Sequence, residues 1–162
     1  MSATTAPPVW RTALPRTAAA VPLARAVVRS ALAGPGAPVD PDTAELLTAE
    51  LVANAVEHAG AGAGADTGAG AAVELVVELL PEGCRIEVHD GDPRPPGALT
   101  PAVPGEHPDP LQEHGRGLLL LRTLSASCGH RPTPRGKAVW FTLSARPRPR
   151  RGGCDLGRPA GV

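Results

Sequence analysis

The stretch ELVANAVEH at residues 50–58 decides the fold, because it predicts a helix that carries polar side chains along one line. Glu50 and Asn54 are four residues apart, so they share one helical face, and His58 continues the line. A carboxylate and an amide oxygen suit Mg²⁺, which takes few protein ligands beside phosphates and waters. A glutamate beside the metal can also act as a general base. The alternative is an ordinary solvated helix face, although asparagine is a mediocre helix former at a central position.

A second motif, VHDGDP at residues 88–93, predicts a strand that ends in an acidic turn. Asp90 ends this strand and Gly91 follows it. A carboxylate at that place can accept a hydrogen bond from the exocyclic amine of a purine base. The alternative is a turn aspartate that caps the strand end.

A third motif, HGRGLLLL at residues 114–121, predicts a glycine turn that opens a helix. Gly115 and Gly117 flank Arg116, and Leu118 follows. Glycines let backbone N–H groups approach phosphate oxygens, the helix N-terminus favours anions, and Arg116 can add a charge-assisted contact. The alternative is a loop-to-helix turn that binds nothing.

The segment GKAVWF at residues 136–141 predicts a last strand with Lys137 near its start. Lys137 is a candidate phosphate contact, but a surface lysine at a strand end is the more ordinary interpretation. Trp140 and Phe141 are interpreted as packing residues rather than as a platform on which a base would stack.

Helical and strand patterns extend on both sides of these motifs. Apolar spacing predicts a helix between Ala18 and Leu32, and Asp40-Pro41 starts the next helix, with aspartate as N-cap and proline at the first helical position. Pro81-Glu82-Gly83 predicts a hairpin, and a closing strand pair is predicted around Pro134-Arg135-Gly136. The predicted strands are residues 9–14, 73–80, 84–89, 128–133 and 137–145.

The composition excludes several classes of function. Lys+Arg and Asp+Glu are both 16 in 162 residues, so no overall charge attracts nucleic acid or a membrane surface. No apolar run approaches the roughly 20 residues of a membrane span, and no signal peptide is expected. Cys84, Cys128 and Cys154 are odd in number and lack C-x-x-C spacing, which predicts reduced thiols in a cytoplasmic protein.

The distribution of glycine and proline along the chain predicts one domain with flexible ends. Residues 1–8 and the Arg-, Pro- and Gly-rich residues 146–162 are expected to be disordered, with the folded domain over residues 9–145. Residues 59–72 are nearly all Ala and Gly and predict a flexible connection. Residues 93–114 hold seven prolines and predict a lid.

The three motifs, in this order, resemble the N box and the two G boxes of the GHKL ATPase superfamily, which includes histidine kinases and gyrase B. The chain is most similar to stand-alone anti-sigma-factor serine kinases of the actinobacterial type, over roughly residues 9–145. The resemblance implies an α+β fold, a two-layer α/β sandwich of the Bergerat type. Its mixed, mainly antiparallel sheet would be covered on one face by three helices, with ATP held between the helices and the lid.

The resemblance also implies a role for individual residues. Glu50 would be the catalytic base, Asn54 the Mg²⁺ ligand and Asp90 the residue that reads the adenine amino group. Asp92 and Arg94 stand where the family's D-x-G-x-G pattern has glycines. The other residues expected to bind the nucleotide are His58, whose individual role stays open, Gly91, Gly115, Arg116, Gly117, Leu118 and Lys137.

The implied function is an ATP-binding regulator, a serine/threonine kinase that transfers the γ-phosphoryl group of Mg·ATP to a partner antagonist protein. Expected partners are a sigma factor, an anti-anti-sigma protein or both, and related regulators often dimerise. The lack of a sensor domain and of a dimerisation hairpin with a phospho-accepting histidine argues against a complete histidine kinase. Two alternatives stay open. One is a non-catalytic module that holds a partner in an ATP-dependent way, and the other is an interaction domain whose turns resemble the boxes by chance.

Overall fold

The computed structural model describes residues 6–34, 39–58, 72–94, 96 and 116–145, with backbone alone at residues 58 and 116. Eight elements follow one another along this part of the chain. They are β1 (Val9–Leu14), α1 (Ala20–Leu32), α2 (Pro41–His58), β2 (Val73–Leu80), β3 (Gly83–Asp90), α3 (Arg116–Leu124), β4 (Ser127–Thr133) and β5 (Gly136–Ser144).

The strands form one five-stranded sheet in the order β1-β2-β3-β5-β4. Each neighbouring pair is antiparallel, so the predicted mainly antiparallel sheet is antiparallel throughout its described strands. Two of the pairs are hairpins, β2 with β3 and β4 with β5, and both were predicted from their turns. The insertion of β5 between β3 and β4 places the start of β5 beside the end of β3, where Asp90 faces Lys137.

The two faces of the sheet differ because side chains alternate along each strand. One face shares a single apolar core with all three helices, whereas Val76 and Ala138 are buried on the opposite face and lie outside that core. This confirms the predicted two-layer sandwich. The largest fully buried core side chains are Phe141, Leu47, Leu75, Ile86, Leu121, Val28, Val52, Val73, Val77 and Val88.

Helix α2 is fixed at its start by the cap that the sequence predicts. The Asp40 carboxylate accepts hydrogen bonds from the backbone N–H groups of Asp42, at 3.2 Å, and Thr43, at 3.3 Å. These bonds and the one from the Thr43 hydroxyl lower the pKa of Asp40, and the hydroxyl makes the largest contribution. Pro41 occupies the first helical position, where its missing N–H leaves no hydrogen bond unmade.

An ion pair holds α2 against α1. The Glu45 carboxylate is 4 % exposed, and Arg29 donates to it at 2.8, 3.1 and 3.2 Å. A buried carboxylate needs such a partner, because burial without one is strongly unfavourable. The orientation of α2, and hence of the polar line on it, is therefore set from the α1 side as well as from the sheet.

The structure corrects one expectation about the cysteines. Cys84 is a buried free thiol, and burial raises its pKa to about 11. Cys128 is disulfide-bonded, so the prediction of reduced thiols is wrong for this residue. No helix in the described ranges combines the length and apolar character needed to cross a membrane.

Candidate functional site

Helix α2 presents the predicted polar line at the border of the core. Glu50 and Asn54 are both half-buried, while Leu51, Val52 and Ala55 between and beside them are buried. Within the described residues, neither the Glu50 carboxylate nor the Asn54 amide forms a hydrogen bond or an ion pair. The two side chains thus keep their oxygen atoms available at an apolar border, which an ordinary solvated helix face does not require.

The start of α3 lies directly against Glu50. A Cβ atom at Gly117 would lie 2.7 Å from Oε2 and 3.2 Å from Cβ of Glu50. Gly117 is in the first turn of α3, where unpaired backbone N–H groups and the helix dipole favour an anion. The glycine therefore lets the predicted base of the N box approach the predicted phosphate-binding turn of the second G box.

Asp90 lies at the end of β3 with its carboxylate 3 % exposed. One oxygen, Oδ1, accepts two hydrogen bonds, from the backbone N–H of Asp92 at 2.8 Å and from Nζ of Lys137 at 3.1 Å. No described residue donates to the other oxygen, Oδ2. The hydrogen bond from the N–H of Asp92 is the turn-capping contact that sequence analysis gives as the alternative role of Asp90. Asp90 therefore caps its own turn through Oδ1 and retains Oδ2 as an acceptor.

Lys137 is buried, which corrects its interpretation as a surface lysine. It is 5 % exposed, and its ammonium group donates to Asp90 and, at 3.1 Å, to the backbone carbonyl of Asp92. The sequence does not reveal this contact, because Lys137 and Asp90 are 47 residues apart and meet only through the pairing of β3 with β5. Lys137 thus lies in the site through its contact with Asp90.

The two residues that depart from the family pattern form an ion pair of their own. Arg94 donates to the Asp92 carboxylate from Nε at 2.9 and 3.0 Å and from a terminal nitrogen at 2.7 Å. The hydrogen bond from the Arg94 side chain is the main reason why the pKa of Asp92 falls from 3.8 to about 2. From the sequence alone, Asp92 and Arg94 stand out only as departures from the family pattern, although an acidic and a basic residue two positions apart after a strand are a signal for such a turn.

Close backbone packing holds this turn against β5. A Cβ atom at Gly136 would lie 2.2 Å from the carbonyl oxygen of Asp90 and 2.6 Å from the carbonyl carbon of Gly91, so only glycine fits there. Gly91 itself is exposed, and a Cβ on it would meet only the Arg135 carbonyl oxygen at 3.8 Å, an ordinary contact. The structurally demanding glycine at this end of the site is therefore Gly136, which sequence reasoning did not single out as a site residue.

The structure unites the predicted residues in two groups. One group joins Glu50 to Gly117, and the other joins Asp90 to Lys137. Helix α2 packs against both α3 and β3, so it borders both groups. The side chain of Leu118 belongs to the core, which leaves its backbone as the part that would contact a ligand. Gly115 lies outside the described residues, as do the side chains of His58 and Arg116 and most of the predicted lid over residues 93–114.

The oxygen atoms of Asn54 and Glu50 suit Mg²⁺ only when phosphates supply further ligands. No cluster of three or more His, Cys, Asp or Glu side chains occurs in the described ranges, so these residues form no cage that would hold a metal without further ligands. Asn54 offers an amide oxygen, and Glu50 one turn away offers a carboxylate. Mg²⁺ characteristically takes one or two protein oxygens and completes its shell with phosphates and waters. These residues therefore suit a magnesium–nucleotide complex.

A match to a family model agrees with this geometry, whereas a search of curated proteins finds no match. The family model described as histidine kinase-like ATPase domain matches residues 14–143, which include both residue groups of the site. Domains of this kind bind ATP, generally with Mg²⁺. Since the match extends over most of the 162 residues, the chain belongs to the family of histidine kinase-like ATPase domains.

Proposed function

We propose that this protein is an ATP-dependent regulator that phosphorylates a serine or threonine of a partner antagonist protein. The contact between Glu50 and Gly117 carries the proposal. In phosphoryl transfer to a hydroxyl group, a carboxylate near the attacking hydroxyl can orient it and accept its proton, and a helix start is a natural place for phosphate. The fold brings these two features together from α2 and α3.

The proposed reaction assigns one task to each group of residues. Asp90 accepts a hydrogen bond from the adenine amino group and orients the nucleotide, while the turn from Gly115 to Leu118 would bind the phosphates through its backbone N–H groups and a charge-assisted contact from Arg116. Asn54 is the protein ligand of Mg²⁺, which when bound neutralises charge on the phosphates. The partner's hydroxyl oxygen bonds to the γ-phosphorus as the bond to the β,γ-bridging oxygen breaks. Glu50 accepts the hydroxyl proton, and ADP leaves.

The partner class follows from the resemblance to anti-sigma-factor kinases. We propose a sigma factor, an anti-anti-sigma protein or both, without direct contact to nucleic acid or membrane. The balanced charge of the chain, with 16 basic and 16 acidic residues, supports a protein partner over a polyanion. A lid over residues 93–114 would close on the nucleotide, and a homodimer is compatible with this proposal.

The test separates phosphate transfer from nucleotide binding. Proteins captured on the immobilised protein with ATP present are incubated with γ-labelled ATP, and label is measured on the captured partner. Glu50→Gln should retain ATP binding and lower the transfer rate by about 10²–10⁴-fold, the usual contribution of a general base. The matched control is Glu78→Gln, a glutamate on the sheet face opposite the helices.

A partner that is captured in an ATP-dependent way but never labelled would contradict the kinase proposal. The non-catalytic module that binds its partner only in the presence of nucleotide would then replace it. A Glu50→Gln variant that transfers phosphate as fast as the unmodified protein would instead remove Glu50 from the role of base.

A further inference from the structure

Lys137 is the single lysine in a chain whose other 15 basic residues are arginines, and its ammonium group is buried against the carboxylate that would read the base. We propose that Lys137 makes Asp90 a one-oxygen acceptor and thereby selects adenine over guanine. This inference rests on the proposed function, because it concerns the specificity of the same nucleotide site. It assigns Lys137 a positioning role instead of a phosphate contact.

The two carboxylate oxygens of Asp90 differ in the hydrogen bonds that they accept. Oδ1 receives the N–H of Asp92 at 2.8 Å and the ammonium of Lys137 at 3.1 Å, which uses both of its lone pairs. Oδ2 receives no hydrogen bond from the described residues. The carboxylate is 3 % exposed, so a base placed against it would find one available acceptor and little water to replace a missing partner.

The two purines differ in the hydrogen-bond donors that they present. Adenine presents one exocyclic amine beside a ring nitrogen that only accepts, so a single carboxylate oxygen satisfies it. Guanine presents two neighbouring donors, its ring N–H and its exocyclic amine, which together match both oxygens of a carboxylate. With Oδ1 already occupied, one guanine donor would be left unpaired in a buried site, which is unfavourable.

Lysine and arginine bind a carboxylate in different ways. An ammonium group is a point charge that can bind one carboxylate oxygen, whereas the planar guanidinium fork prefers to bind both oxygens at once. The pair formed by Arg94 and Asp92 in the same turn shows that bidentate pattern. An arginine at position 137 would extend the pattern to Asp90 and occupy Oδ2, the acceptor that adenine requires.

The position of Lys137 is itself tightly determined. Lys137 is paired with Asp90 in the register of β3 and β5, and Gly136 before it packs against the backbone of Asp90 and Gly91. The second bond of the ammonium group, to the carbonyl of Asp92 at 3.1 Å, holds it at the Oδ1 side of the carboxylate. A lysine that served only to neutralise Asp90 would not need this second anchor.

The experiment measures ATP and GTP binding by calorimetry for the unmodified protein and three variants of Lys137, after their folding has been checked by thermal unfolding. In Lys137→Met, the ATP-over-GTP affinity ratio should fall by about tenfold or more, because the departing ammonium group leaves acceptor capacity on Oδ1. Lys137→Gln keeps a neutral donor and should keep most of the ratio. Lys137→Arg should lose ATP affinity by about tenfold or more, because the fork occupies Oδ2.

A matched control removes a nearby cation that does not contact the carboxylate. Arg135→Met, in the exposed turn before β5, should leave both affinities unchanged. A folded Lys137→Met with the unmodified ATP-over-GTP ratio would overturn the inference, as would Lys137→Arg with full ATP affinity. If Lys137→Met does not fold, the Lys137→Gln and Lys137→Arg pair decides the question. An unmodified protein that binds no ATP would instead contradict the proposed function.

Discussion

Gly117 and Glu50 are in such close contact that a single methyl group at position 117 would lie 2.7 Å from the Glu50 carboxylate oxygen Oε2. The contact joins α3 to α2, and both residues come from motifs that sequence analysis assigned to one site. Alanine is a better helix former than glycine. A change to alanine at position 117 can therefore move the Glu50 side chain without lowering the stability of α3.

Gly117→Ala should therefore displace the Glu50 side chain while it preserves the fold. We expect the free energy of unfolding to change by less than about 1 kcal/mol, since the gain in helix propensity offsets the crowding. The proposed ATP-dependent phosphate transfer should fall by about tenfold or more, because the carboxylate that we propose as the base is displaced by a small distance. The measurements are urea unfolding and the labelled-phosphate assay.

The control for this variant is Gly34→Ala, just after the end of α1 and away from the site. The added methyl group there would meet no atom within 4 Å, so activity should persist. Equal activity in Gly117→Ala and the unmodified protein would show that the position of Glu50 does not matter for transfer.

Asn54→Ala removes the amide oxygen that we assign to Mg²⁺. The expected result is a loss of the magnesium-dependent part of ATP affinity, with little change in binding measured in a chelator. Calorimetric titrations with and without Mg²⁺ provide the comparison. A magnesium effect of the original size in the variant would exclude Asn54 as the metal ligand.

Arg29→Ala tests the ion pair that sets the orientation of α2. Its removal leaves the Glu45 carboxylate, 4 % exposed, without its closest cation. The free energy of unfolding should fall by about 1–3 kcal/mol, the penalty for an unpaired buried polar group. Arg25→Ala is the matched control, because Arg25 approaches the same carboxylate only to 3.8 Å, and its effect should stay within about 0.5 kcal/mol. Equal losses of unfolding free energy in Arg29→Ala and Arg25→Ala would contradict the assignment of Arg29 as the partner of Glu45.

Asp92 gives the stability of the protein a dependence on acid pH. Its pKa is about 2 in the folded state against an ordinary value of 3.8, so the ionised form stabilises the fold. This contribution is complete above the ordinary value and is lost as the pH falls through the interval between 3.8 and about 2. The difference in unfolding free energy between the protein and Asp92→Asn should accordingly shrink as the pH is lowered from 5 to 2.

Arg94→Gln provides the control for this titration. The variant removes the main cause of the shift, so the pKa of Asp92, followed by carboxyl NMR, should rise toward 3.8. An unchanged pKa in Arg94→Gln would assign the shift to the backbone of the turn.

Local patterns were sufficient to predict most of the fold. The cap at Asp40, the two hairpins and the bounds of β1 and β2 all follow from turn chemistry and from the alternation of apolar residues. The sandwich follows from the resemblance, and the structure confirms it. The roles of Glu50, Asn54 and Asp90 stay predictions, now supported by their placement.

What sequence reasoning missed depends on contacts between distant strands. The burial of Lys137 requires that β5 lies next to β3, an order that no local pattern contains. The demand for glycine at position 136 likewise arises from the backbone of Asp90, which is remote in sequence. The disulfide of Cys128 was missed because cysteine spacing carries no information about tertiary proximity.

The most direct test of the central claim, that this chain binds ATP through Asp90, is calorimetric titration with ATP of the unmodified protein and of Asp90→Asn. We predict that the unmodified protein binds one ATP per chain. Binding to Asp90→Asn should be weaker by about 1–3 kcal/mol, because a buried acceptor is replaced by a group that is partly a donor. Asp42→Asn, an exposed aspartate in the first turn of α2, should bind ATP like the unmodified protein. A folded Asp90→Asn variant with full ATP affinity, or an unmodified protein that binds no adenine nucleotide, would contradict the claim.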